Sequence, residues 1–267
     1  MWAWLVLFVA APAVVLGVLA LSTAAETVPP YTPGLNPQAL LTGLTDALYR
    51  SAFFDSLRIA GTTALACLVI GYPMALAIAR SRRRSLLLLA LMLPFWSGFL
   101  LRITAWIGIL RDDGWLNGLL LATGLVPERL LMLHTDGAMQ VGLIYAYLPF
   151  MILPLQARLA ASDPALEQAA ADLGAPPWRV FAAVTLPLSL PAVWAGLALV
   201  FIPVTGEIVI PDLLGDQATL TFGRAIWDVF FVERDWPQAA ALVVILLAIP
   251  ALAFAGFLAV RAGMVRP

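Results

Sequence analysis

Residues 163–187 read DPALEQAAADLGAPPWRVFAAVTLP, and they stand between two long apolar runs. Asp163 can cap a helix whose first position is Pro164, and Gly174 followed by Pro176 and Pro177 supplies a stop. Leu166, Ala169, Ala170 and Leu173 then fall at i, i+3, i+4 and i+7 on one face, with Glu167 and Asp172 projecting elsewhere. A second short helix can start at Pro176 or Pro177 and run through Trp178, Arg179, Val180 and Phe181 as far as Leu186 and Pro187. Two uses suit such a pair. It packs on its own chain, as most amphipathic helices do, or its small residues let it enter a groove of another protein.

Outward from this stretch the chain is a series of apolar runs. Of 267 residues, 62% are hydrophobic and 12% charged, whereas soluble domains carry about 25% charged residues. An all-α integral membrane protein is the class that fits, and at about 20 residues per crossing it holds about six transmembrane helices. The runs cover about 2–22, 56–79, 85–110, 138–159, 188–210 and 239–261, with 162–187 as a loop inside one transmembrane domain, residues 1–267. The first run has a small-residue pair after it, Ala24 and Ala25, but no basic segment before it, and is read as a retained helix. Pro94, Pro149 and Pro154 lie within runs, which bundle neighbours tolerate. Trp115 to Leu121 form a short helix in the loop opened by Asp112, Asp113, Gly114 and Asn117.

The residue inventory removes several chemistries. All 15 basic residues are Arg and none is Lys, so the chain has no Walker A loop and no Schiff-base amine. One His, His134, and one Cys, Cys67, exclude a His/Cys metal cluster and an internal disulfide. No catalytic residues and no metal site are expected. His134 reads as a loop residue and Cys67 as a small packing group in an apolar run.

Arginine placement orients the bundle. Arg80, Arg82, Arg83 and Arg84, with Arg158, Arg179, Arg261 and Arg266, fall on one side if the spans alternate. That side is cytoplasmic, together with both termini, and it holds the 162–187 loop. Beside apolar spans the Arg cluster reads as a topology determinant and not as a nucleic-acid patch.

The loop also carries a family pattern. Gln168, Ala169, Ala170, then Gly174, Val184, Leu186 and Pro187 match the spacing of the EAA loop of ABC importer permeases, with Gln168 where the family has Glu and Val184 where it has Ile. Glu167, one residue earlier, can partly stand in for the missing charge. The likeness extends over roughly residues 55–260. It is similar most of all to the spermidine/putrescine-type permeases, through Ile70 to Pro73, Leu93 to Trp96, Arg102 to Trp106, Tyr145 to Pro149, Gly206 to Leu214 and Arg234 to Pro237.

The resemblance implies a type I importer permease in a bacterial inner membrane. It implies a second permease, an ABC ATPase dimer holding ATP and Mg, and an external substrate-binding protein. This chain itself is then not an enzyme and carries no cofactor. The ATPase-coupling residues it implies are Glu167, Gln168, Ala169, Ala170, Asp172, Gly174, Leu186 and Pro187. The solute is a small organic one, with a polyamine cation favoured and opines or other organic ions as alternatives. A passive channel or secondary transporter would leave the EAA spacing unexplained.

For the substrate path, Glu207 is an intramembrane carboxylate, functional by default or else paired with Arg102. Trp96, Trp106, Tyr145 and Tyr147 offer aromatic faces for a cation, or mark interfaces and fill the bundle.

Overall fold

The computed structural model describes residues 4, 6–248 and 250. Helix α1, Val6–Ala20, is followed by a two-stranded antiparallel ribbon, β1 Thr23–Ala24 with β2 Tyr31–Thr32. Then come α2, Gln38–Thr45, and the 34-residue α3, Ala47–Arg80. Next are α4, Arg84–Trp96, α5, Phe99–Leu110, and α6, Trp115–Ala122. Helix α7 is Asp136–Ala160 and α8 is Pro164–Asp172. The series ends with α9, Pro177–Thr205, α10, Val209–Leu214, α11, Phe222–Trp227, and α12, Trp236–Ala248.

By length and apolarity α3, α7 and α9 each suffice to cross a bilayer, and the bent pair formed by α4 with Phe99–Ala122 makes a fourth candidate. Helices α1 and α12 are apolar but shorter among the described residues. Of the expected runs 2–22 and 239–261, residues 2, 3, 5, 249 and 251–261 lie outside the described residues, as do Arg261 and Arg266.

Three helix extents differ from the sequence reading. The 85–110 run is not one rod: its helix breaks after Trp96 and resumes at Phe99 with an 88° bend. Pro94 sits in the last turn, a 3₁₀ segment from Leu93 to Trp96, where the helical ladder is already giving out. The Leu186-Pro187 pair does not end the helix that starts at Pro177. Pro187 has no N–H for the carbonyl four residues back, and the chain widens into a π turn, Phe181–Thr185, and continues to Thr205. The fifth helix therefore begins near Pro177 and stops at Thr205, short of 210. Helix α3 likewise starts at Ala47, well before residue 56.

The chain divides into two compact units. One comprises Met1–Leu57, Thr205–Ile208 and Thr219–Pro267. Its core joins Ala52, Phe222, Val229, Ala239 and Leu242, and Phe53 meets Phe222 edge-on at 5.2 Å. The Ser56 hydroxyl accepts from the Phe222 N–H at 2.8 Å, caring for a donor at the start of α11.

The other unit, Arg58–Val204 with Val209–Ala218, holds the larger core. Ile59, Cys67, Ile103, Leu143, Met151, Ile152, Leu155, Val200 and Leu214 are buried there. Close backbone approach depends on Gly142, where a Cβ would meet Leu214 and Ile210, and on Gly196, where it would meet Met151. Most polar groups inside are paired, as membrane interiors favour, with buried Gln156 Nε2 left without a hydrogen-bond partner among the described residues. Tyr72 Oη and Ser189 Oγ share a buried hydrogen bond of 2.8 Å, and Thr63 Oγ1 donates to Gln140 Oε1 at 2.9 Å. Cys67 is fully buried, its thiol 3.8 Å from the Ile144 carbonyl.

Candidate functional site

Helix α8 is bracketed by local signals. Asp163 Oδ1 accepts from the Ala165 N–H at 2.9 Å, and Pro164 opens the helix. At the other end Gly174 has φ +81°. Its N–H reaches the Ala171 carbonyl at 2.8 Å, and the Ala175 N–H reaches that of Ala170 at 3.2 Å. That pair of bonds is a Schellman cap, which places the left-handed residue where glycine is least strained.

Between its caps α8 buries nothing. Leu166 is 49% exposed, Leu173 89% and Trp178, at the start of α9, 66%. The alternative in which the apolar face packs on its own chain is therefore set aside. Gln168, Ala169, Asp172 and Gly174 are exposed too, and only Glu167 and Ala170 are half-buried. Leu186 is half-buried and Pro187 exposed in α9.

Glu167 is the polar exception. Its two carboxylate oxygens accept from Arg80 Nη2 at 3.1 and 2.8 Å, and Oε1 also accepts from Thr185 Oγ1 at 2.7 Å. Arg80 is the last residue of α3, and Thr185 closes the π turn. Nothing local in the sequence marks Arg80 as the partner, since it lies 87 residues away.

The residues suggested for the solute path do not form one cluster. Trp106 and Tyr145 meet edge-on at 5.5 Å. With Ser97, Leu101, Arg102, Ala105 and Ile109 they line a cleft of about 320 Å³. Arg102 Nη1 donates to the Pro94 carbonyl at 3.2 Å, and its guanidinium lies 4.2 Å from the Phe95 ring centre. The arginine thus occupies the break between α4 and α5 and satisfies a carbonyl there. A cation already in that wall opposes a second one beside it. Trp96 is 80% exposed, and Tyr147 sits against Phe150 with ring centres 5.9 Å apart.

Glu207 belongs to the other compact unit. It is half-buried, in the non-helical interruption between α9 and α10. Gly223 lets α11 approach that interruption: a Cβ there would come within 2.6 Å of the Gly206 carbonyl oxygen and 3.0 Å of that of Glu207. Irregular backbone at membrane depth is tolerated where protein buries it or a water-filled cavity adjoins it.

Asn117 is a residue that sequence reasoning treated only as a turn former. It is buried, donates from Nδ2 to the Leu130 carbonyl at 2.9 Å and accepts the Leu130 N–H at 2.9 Å. It therefore pins the loop ahead of α7. His134 is exposed, with φ 57°, in the turn that leads into that helix.

Residues 68–262 match the model of a family described as "Binding-protein-dependent transport system inner membrane component". The chain belongs to that family. This permease is 38% identical over 213 residues to the spermidine/putrescine transport system permease protein PotB of Haemophilus influenzae, covering 79% of this chain and 74% of the relative. It is 39% identical over 202 residues to PotB of Escherichia coli K12, covering 75% and 74%. The E. coli inner membrane ABC transporter permease protein YdcU matches at 30% over 233 residues, 80% of this chain and 74% of the relative. In fold, the permease resembles a bacterial ABC transporter that imports the acidic polysaccharide alginate, with TM-score 0.73 and 18% identity over 99% of this chain and 93% of that one. The chain is thus a multi-pass inner-membrane permease of a binding-protein-dependent ABC importer.

Proposed function

We propose that this permease carries a polyamine-class cation across the inner membrane and is driven by an ABC ATPase dimer through α8. The observation that carries the coupling is the outward display of Leu166 and Leu173 on α8, a helix capped at both ends, beside exposed Trp178 at the start of α9. Apolar side chains left exposed on a short capped helix suit a groove on a partner. Identities of 38–39% to spermidine/putrescine permeases support the solute class.

In this reading ATP and Mg reside in the partner ATPase subunits, a second permease completes the path, and a binding protein delivers solute from outside. Both termini and α8 then face the cytoplasm. Closure of the ATPase dimer displaces α8, and the helices attached to it switch between two access states as a rigid element. Trp96, Trp106, Tyr145, Tyr147 and Glu207 are the proposed path residues. Glu207 supplies the negative charge, and Arg102 makes the Trp106–Tyr145 wall a poor resting place for an ammonium group.

Uptake of labelled spermidine by proteoliposomes holding the assembled transporter tests the proposal. Glu207→Gln is expected to lower uptake about tenfold, the scale of one lost charge contact, with assembly retained. Unchanged affinity and rate in a well-folded variant would remove Glu207 from the path. Uptake by this chain without an ATPase would favour a passive channel.

A further inference from the structure

The side-chain hydrogen bonds that tie helix α8 to other elements of its chain run through one carboxylate. No residue of the helix is buried, and of its two half-buried side chains Ala170 is too short to reach out. Glu167 alone reaches two other elements, through both oxygens to Arg80 and through Oε1 to Thr185. We propose that Arg80, Glu167 and Thr185 form the joint through which displacement of α8 is delivered to α3 and α9, with Glu167 a positioning residue inside the permease and not a contact for the ATPase. The proposal rests on the docking of α8 stated above.

The geometry supports a joint with a fixed direction. Arg80 ends α3, where a cation also complements the helix dipole. Thr185 is buried at the close of the π turn, while Ala182 and Ala183 in the same turn are exposed. Close by, two turns back along α3, Tyr72 already ties the two long helices to each other through its hydrogen bond with Ser189 and its edge contact with Phe181 at 5.5 Å. A pull on Glu167 therefore reaches the end of α3 and the π turn of α9, which are tied together. Charge-assisted hydrogen bonds on both carboxylate oxygens fix orientation as well as distance. Because no apolar face is engaged, Leu166 and Leu173 stay turned outward while the joint holds.

The arginine and glutamate side chains are 58% and 32% exposed, so the pair adds little to fold stability and its effect belongs in coupling. The test uses the transporter assembled with its ATPase and binding protein in proteoliposomes, reading spermidine uptake per ATP hydrolysed. Arg80→Glu and Glu167→Arg are each expected to assemble with the ATPase and to lose about tenfold in that ratio, a fold-change within the range of coupling energies between contacting residues. The double exchange, Arg80→Glu with Glu167→Arg, is expected to recover to within about threefold of the parent. A merely structural role would show instead as poorer assembly or lower thermal stability of the single variants, with the ratio unchanged in the protein that assembles. Thr185→Val removes one bond without altering charge, and a loss of about threefold is expected there.

Full coupling in assembled Arg80→Ala and Glu167→Ala variants would overturn the joint while leaving the docking reading intact. A double exchange no better than either single change would do the same. Failure of the parent chain to copurify with any ABC ATPase would remove the docking reading and the joint with it.

Discussion

Along α7 the side chains of Met139, Leu143, Met151, Ile152 and Leu155 are sealed in the core, with Gly142 bringing α10 to backbone distance. Along α8, beginning only four residues after α7 ends, Leu166 and Leu173 stand exposed and a glutamate faces inward. Both helices are well capped, Thr135 serving α7 as Asp163 serves α8. Capping and periodicity are therefore alike in the two, and what differs is where the apolar face is satisfied. In α7 it is satisfied by the same chain. In α8 it is left over, available to the partner proposed above.

The comparison can be broken most sharply at Gly174. Gly174→Asp places a charged L-residue at φ +81°, and transport by the assembled complex should be abolished while membrane insertion is unchanged. Gly174→Asn, which shares the tolerance of the left-handed region without the charge, should retain much of the activity. Normal uptake by the Asp variant at normal expression would remove α8 as the coupling element.

The opposite failure is expected in the core. Gly142→Leu forces atoms into space held by Leu214 and Ile210, and overpacking of this kind costs about 1–3 kcal/mol. Thermal unfolding of the purified protein in detergent should show it, with no selective effect on ATPase stimulation in the protein that survives. Asp163→Ala lies between the two. Losing the cap should destabilise α8 locally by about 1 kcal/mol, visible as faster amide exchange over residues 165–168 with the melting of the bundle unchanged. Smallest in stability is Leu173→Ser, expected to stay within about 0.5 kcal/mol of the parent. If α8 docks, that same change weakens retention of the ATPase. If Leu173→Ser destabilises the isolated permease as a core change would, the contrast between the two helices is wrong.

Much of α8 was legible because its determinants are local: Asp163, Pro164 and Gly174 act on backbone groups within three residues of themselves. The orientation of its face was not, since a period of 3.6 residues defines a stripe without saying what covers it. The partnership of Glu167 with Arg80 joins residues 87 positions apart, and no spacing rule spans that distance. The bend after Trp96 was hidden for a related reason. The apolar run is continuous, and the interruption depends on Pro94 together with an arginine eight residues later that takes its carbonyl. Likewise the continuation of α9 past Pro187 rests on a π turn that bundle neighbours tolerate. Glu207 stands in an apolar run of sequence, yet its place in a break between helices follows from the fit of Gly223 and not from hydropathy.

The burial of Cys67 has a practical consequence. The chain's only thiol is fully enclosed, so a cysteine introduced at an exposed position such as Leu173 can be alkylated, or carry a fluorophore or spin label, against a silent background. The absence of lysine extends the same benefit to amine chemistry. Apart from the α-amino group, an amine-reactive cross-linker can attach only to the other subunits of the transporter. If α8 docks as proposed, a label at position 173 would then report the partner's arrival in an otherwise unmodified permease.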